Sequence, residues 1–247
     1  MQAAKKRSLT SLLSLALILG VVVYVTASLG FWQLDRARQK QALAHQYEQG
    51  SALPPLDLNL PFSSRPDPWQ PVRVAGQWLP GVSLLLDNRA LNGRPGYWVV
   101  GVLQLPQGQA HLAVLRGWVK RRFDGLPNWT TPEGPVQLEG RVLSHIPRLY
   151  ALSADQALDF SQPQVQVMQN IEIDQLAQAS GLDLLPFAVQ QTSAAQDGLL
   201  RSWEPPLFDT NKHRGYALQW FIFAGFALLV LGVAVVRSIR SNRRGPR

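Results

Sequence analysis

The sequence predicts a membrane protein in which two transmembrane α-helices, one near each end, flank a single β-rich (α+β) domain, barrel- or sandwich-like. Three observations lead there. Residues 9–31 and 216–236 are apolar runs without a charged residue, and each meets the roughly 20 residues that a helix needs to cross a hydrocarbon core of about 30 Å. Between them, short apolar or alternating stretches are punctuated by Gly and Pro, the pattern of strands and turns. The charge is also unevenly spread. The formal net charge is +8, yet all 16 acidic residues lie between the two apolar runs.

The surplus charge resides in the tails, at Lys5, Lys6 and Arg7 and at Arg237, Arg240, Arg243, Arg244 and Arg247. Basic flanks stay cytoplasmic. The expected division is a cytoplasmic tail at 1–8, a first span at 9–31, a periplasmic domain at 32–215, a second span at 216–236 and a cytoplasmic tail at 237–247. Arg36, Arg38 and Lys40 weaken the preference of the first span alone. The second, with five arginines against Lys212 and Arg214, decides the orientation. The first run, at 23 residues, is longer than the 7–15 residue core of a signal peptide and is expected to remain as an anchor. No Arg- and Ser-rich transit segment precedes it. These features point to a bacterial inner (plasma) membrane, with both termini cytoplasmic. The absence of cysteine is compatible with an oxidising compartment. Because the middle is neutral, it lacks the concentrated basic surface that phosphate binding needs, and no nucleic-acid partner is expected.

The elements follow in order. Residues 34–49 are rich in Ala, Gln, Arg and Lys and should continue the first helix until Gly50 stops it. Trp32, Arg36 and Lys40 then share a helix face. Six prolines between 51 and 71 mark an irregular connector. Strands are expected at 72–78, 83–89, 97–105, 111–120 and 136–143, with 106–109 as a hairpin turn and 123–135 as a loop. A further strand is expected at 164–170, a short helix at 173–180 ended by Gly181, and a last strand at 184–191.

Signatures of common enzymes are missing: no G-x-S-x-G, P-loop, G-x-G-x-x-G or H-E-x-x-H occurs. The reading is therefore non-enzymatic. With no Cys and two Met, soft copper ligation is not expected. The four histidines, His45, His111, His145 and His213, are far apart. His213 lies three residues before the second apolar run, ahead of Tyr216, Trp220, Phe221 and Phe223. Two readings are open for it. It belongs to an interfacial belt of polar-tipped rings, or it is an axial haem ligand in an aromatic surround. In the second reading Lys212 and Arg214 would meet the propionates.

Polar and aromatic residues cluster at three further places. Asp87 to Trp98 packs turn formers and arginines between two strands, with Asn92-Gly93 suited to positive φ and Gly96 to a close approach. Arg116-Gly117-Trp118 sets an arginine inside a strand, and Trp32-Gln-Leu-Asp-Arg36 places polar groups at the membrane exit. Turn, strand and interface account for each one separately. Leu29-Gly-Phe-Trp-Gln-Leu-Asp-Arg36 with Lys40, Asn88-Arg89 through Asn92-Gly93 to Pro95-Gly-Tyr-Trp98, Arg116-Gly-Trp118, Glu139-Gly-Arg141 and His213-Arg-Gly-Tyr-Ala-Leu-Gln-Trp220 give the chain a resemblance to the surfeit-locus-one family of cytochrome c oxidase assembly factors. The motifs stand in the family's order and span nearly the whole chain.

The resemblance implies a haem a-binding chaperone of the respiratory chain that aids insertion of haem a into oxidase subunit I. It implicates His213 as the ligand to the haem iron. Trp32, Arg36, Arg89, Arg116, Tyr216 and Trp220 carry over as cofactor-site positions, and Asn92, Gly93, Tyr97, Gly117 and Trp118 as motif positions. The implied partners are subunit I, haem a synthase and membrane lipid. Three rivals remain: a haem-free scaffold for nascent oxidase subunits, a polysaccharide co-polymerase (without the long heptad helices of that class), and a periplasmic enzyme, disfavoured by the missing catalytic motifs.

Overall fold

The computed structural model describes residues 2–60, 65–106, 110–150, 158, 160, 165–203 and 210–243. The chain divides into two compact units, Met1–His45 with Pro206–Arg247, and Gln46–Pro205.

The first unit holds the apolar runs, carried by α1 (Gln2–Ala52), whose last residues from Gln46 on belong to the second unit, and by α3 (Asn211–Arg243). Their best 18-residue windows reach a mean hydropathy of 2.4 and 2.3, and only 6% and 11% of those windows are buried. A core helix of a soluble domain would be mostly covered, so these apolar surfaces match a lipid surround. The contacts between the two helices use small residues. A Cβ added at Gly30 would fall 2.7 Å from the Phe221 ring, and Phe31 meets Phe221 edge to face at 5.2 Å. Thr26, Gly30, Gln33 and Ala37 recur at i, i+4, i+7 and i+11 on α1; His213, Ala217, Trp220 and Ala224 do the same on α3. Thr26, Ala37, Ala217 and Ala224 are buried, as expected where helices in lipid pack through small side chains.

The second unit is a barrel. The strands are β1 (Leu56–Asp57), β2 (Pro71–Leu86), β3 (Gly96–Gln104), β4 (His111–Lys120), β5 (Pro135–Leu143), β6 (Gln166–Met168) and β7 (Leu184–Gln191). Pairing runs β2-β3-β4-β7-β5 and returns to β2, so five strands close on themselves. All of these pairs are antiparallel except β4–β7; β1 and β6 lie parallel to β2. Closure removes the exposed edge that an open sheet would present. Residue parity then sorts the core. Val72, Val74, Leu103, Leu112, Val114, Leu138, Val142, Phe187 and Val189, drawn from all five strands, form one apolar cluster. Their neighbours Val102, Ala113, Leu115, Leu143 and Ala188 belong to a second, covered by Ile173 and Leu176 of α2 (Ile173–Ser180). This is why β3 and β4 are buried on both faces.

The expected strands 72–78 and 83–89 are one bent strand that ends at Leu86. Its register shifts between Trp78 and Ser83, around Pro80, which cannot donate to the ladder, and Gly81 at φ +80°. The first helix also runs two residues past Gly50. There the barrel packs so closely that a Gly50 Cβ would lie 1.9 Å from the Pro68 carbonyl oxygen. The expected 106–109 turn falls, beyond Pro106, outside the described residues.

Candidate functional site

Trp32, Arg36, His213, Tyr216 and Trp220 lie in the helical unit, and Arg89 and Arg116 in the barrel. His213 sits in the first turn of α3, half-buried. Its Nδ1 lies 2.7 Å from Oε1 of Gln33 on α1. An amide oxygen only accepts, so Nδ1–H donates; in the neutral ring Nε2 then carries the lone pair. No described residue bonds to Nε2. One turn on, Tyr216 is exposed, and Trp220 packs edge to face on Phe223 at 5.9 Å. Arg214 donates to Gln41 of α1 at 3.2 Å. Trp32 and Arg36 occupy the flanking face of α1. Arg36 lies 5.6 Å from the Trp32 ring centre and donates to Gln39 at 3.0 Å. Among the described residues no hydrogen bond or ring contact joins either of them to His213. The residue that reaches it is Gln33, whose signal in the sequence was its spacing with Thr26, Gly30 and Ala37.

Tested against a haem, this end of the helix pair has the right donor. It offers an imidazole with Nδ1 held by Gln33, no described hydrogen bond at Nε2, and Tyr216 exposed one turn along the same helix.

The barrel motifs are used inside the barrel. Asn92 and Gly93, at φ 50° and 73°, are the two central residues of a type I′-like turn in which Leu91 and Arg94 exchange backbone hydrogen bonds. Arg89 is buried. It donates to the carbonyls of Pro147 and Gln169, both at 3.0 Å, and its guanidinium lies 4.5 Å from the Trp98 ring centre. Burial pushes its pKa down to about 10, against the pull of Asp87. The indole of Trp118 donates to the Arg89 carbonyl at 2.7 Å. That indole fits only because residue 96 is Gly: a Cβ there would stand 2.4 Å from its ring. Tyr97 lies under Arg121, 5.1 Å from its ring centre, and Arg121 pairs with Asp87.

Arg116 is more deeply enclosed, with its side chain 1% exposed. It donates to Thr131 Oγ1 at 2.7 Å, the Thr130 carbonyl at 2.8 Å and Asp197 at 3.4 Å, and stacks 4.5 Å from the Trp78 ring centre. Asp197 also takes Arg201 at 2.5 Å. Burial lowers the Arg116 pKa, while Asp197 pulls it back up. The trio clamps the 197–201 strap on β4, where Trp118 and Leu200 exchange backbone hydrogen bonds. Gly117 allows the approach, since a Cβ there would lie 2.7 Å from Leu199. Gly140 does the same for β5 on β7, at 2.4 Å from Val189. Arg141 donates to the Tyr47 hydroxyl at 2.7 Å.

The sequence model of the SURF1 family matches residues 20–225. The chain belongs to the SURF1 family. It is 26% identical over 241 residues to a SURF1-like protein of Rickettsia bellii, covering 90% of each chain. A second SURF1-like protein, from Rickettsia felis, is 26% identical over 239 residues, 91% of this chain and 98% of its own. An uncharacterized SURF1-like protein of Mycobacterium bovis is 28% identical over 241 residues, 94% of this chain and 86% of its own. The match begins within the first apolar helix, takes in the whole barrel and ends within the second, so the motif residues from Trp32 to Trp220 all lie inside it.

Proposed function

We propose that this SURF1 protein is an assembly factor for a haem-copper cytochrome c oxidase, acting without catalysis. In this reading it holds haem a at the outer membrane face and passes it to oxidase subunit I. The observation that carries it is the His213–Gln33 pair, in which Nδ1 is held by the amide oxygen and Nε2 has no described hydrogen-bond partner. His213 would hold the haem through Nε2, and the haem would supply an iron able to accept that nitrogen. Tyr216 and Trp220 flank it on the same side of α3. Arg89 and Arg116 are assigned to architecture, because protein acceptors already hold them. A site that must release its cargo is suited by a single protein ligand, since a second strong one would slow transfer. The orientation proposed is a periplasmic barrel with both tails cytoplasmic, as the basic flanks favour. Haem a synthase is the proposed source of the cargo.

The test is expression in cells that make haem a, followed by purification in mild detergent. A stoichiometric haem a spectrum is expected, and it should vanish in His213→Ala while the barrel's tryptophan near-ultraviolet signal is kept. An unchanged spectrum in the variant would remove His213 from the ligand role. The second reading, a haem-free scaffold for nascent oxidase subunits, is favoured by one observation. Most motif residues of the barrel are spent on its own packing. No haem in the wild type, with subunit I still co-purifying, would select it.

A further inference from the structure

We infer that Gln33 is a positioning residue that locks His213 in its Nδ1–H tautomer and aims Nε2 away from α1 as the ligand nitrogen. This rests on the haem reading for its purpose, though its geometry stands apart from it. Three observations carry it. The 2.7 Å contact joins Nδ1 to an amide oxygen, which fixes the hydrogen on Nδ1. Gln33 sits on the α1 stripe of Thr26, Gly30 and Ala37, whose close packing at Gly30–Phe221 holds the helices at hydrogen-bonding distance. Above it, the Arg214–Gln41 bond repeats the same cross-helix pairing of a Gln with the first turn of α3. A free histidine would divide between two tautomers and several ring orientations. Bonding one nitrogen to a fixed acceptor removes that freedom, and such outer partners typically control ligand affinity ten- to hundredfold. Gln33 also has a chemical advantage over a carboxylate. It orients the ring without making it strongly basic, which suits a ligand that must let go.

The experiment uses the full chain in detergent micelles, labelled with 15N-histidine. Spectra are recorded at alkaline pH, where the two neutral tautomers are distinguished by their 15N shifts. Wild type should show His213 as the Nδ1–H tautomer, Gln33→Glu should retain it, and Gln33→Leu should give a mixture dominated by the more common Nε2–H form. An Nε2–H form in wild type, or the same tautomer ratio in Gln33→Leu, overturns the assignment. Titration with haem a then separates this inference from the reading beneath it. Gln33→Leu should bind about ten- to hundredfold more weakly, and Gln33→Glu should recover affinity with a more negative midpoint potential. Equal affinity in wild type and Gln33→Leu, despite a changed tautomer, overturns the positioning role. If wild type shows the Nδ1–H form and binds no haem a, the haem reading falls and the tautomer assignment stands.

Discussion

Asp197 accepts from two guanidiniums, those of Arg116 and Arg201, with all three side chains nearly excluded from water. The group thus carries a surplus positive charge inside the barrel unit, held by the Thr130 carbonyl, Thr131 and the Trp78 ring. The carboxylate is the shared partner, so its loss should matter most. Asp197→Leu strands two buried cations and should cost about 3–5 kcal/mol. Arg116→Met should cost less, because Arg201 keeps Asp197 paired at 2.5 Å. Urea titrations followed by tryptophan fluorescence would rank the two; the reverse order would refute a shared-carboxylate account. Arg122 and Asp124 give the opposite case. Their hydrogen bond holds the Asp124 carboxyl down to about 2. Its contribution is therefore present above the ordinary value of 3.8 and lost as pH falls through about 2. Both groups are exposed, water and salt screen the pair, and Asp124→Asn should leave the unfolding midpoint at neutral pH unmoved.

At the scale of elements, the glycines of the motifs set strand-to-strand distance. Gly96→Ala would drive a methyl into the Trp118 indole, and Gly117→Ala would push the 199–200 strap off β4. Each should cost about 1–3 kcal/mol by overpacking, while Gly215→Ala, with open space around it, should cost nothing measurable by the same titration. This packing role explains what was legible. Strands at 97–105, 111–120, 136–143 and 184–191 and the helix at 173–180 could be read locally, because alternation, β-branching and the Gly181 stop are local signals. The join of 72–78 to 83–89 could not. Pro80-Gly81 reads as a turn unless one knows that β3 pairs on both sides of the bend, with β5 before it and β6 after it. The site was legible in part. His213 was visible from its place before an apolar run, whereas Gln33 was hidden beside the more conspicuous Trp32 and Arg36. Which face of α1 meets α3 is decided by Gly30 and Ala37, and small residues carry little signal alone.

For the whole molecule, closure of the barrel and pairing of two remote helices both depend on contacts between distant parts of the chain. Strand periodicity left barrel and sandwich equally open; β2–β5 pairing and the parallel β4–β7 ladder decide for the barrel. Orientation across the membrane is a separate matter, set by the basic tails. The middle is close to neutral, so the five arginines at 237–247 should outweigh Lys212 and Arg214 and keep that end inside. The chain has no native cysteine, so single substitutions report without background. Thr192→Cys, on the exposed end of the β7 region, should react with a membrane-impermeant maleimide in intact cells. Ser241→Cys, in the basic tail, should react only after the inner membrane is permeabilised. Changing Arg237, Arg240, Arg243, Arg244 and Arg247 to Gln should shift a measurable fraction of Ser241→Cys to the outside-reactive class. That shift is the decisive arm, because His213 lies in the first turn of α3, at the opposite end of that helix from Arg237 and Arg240. If the tails were outside, the His213 end of the helix pair would face the cytoplasm, and cargo would have to arrive and leave there.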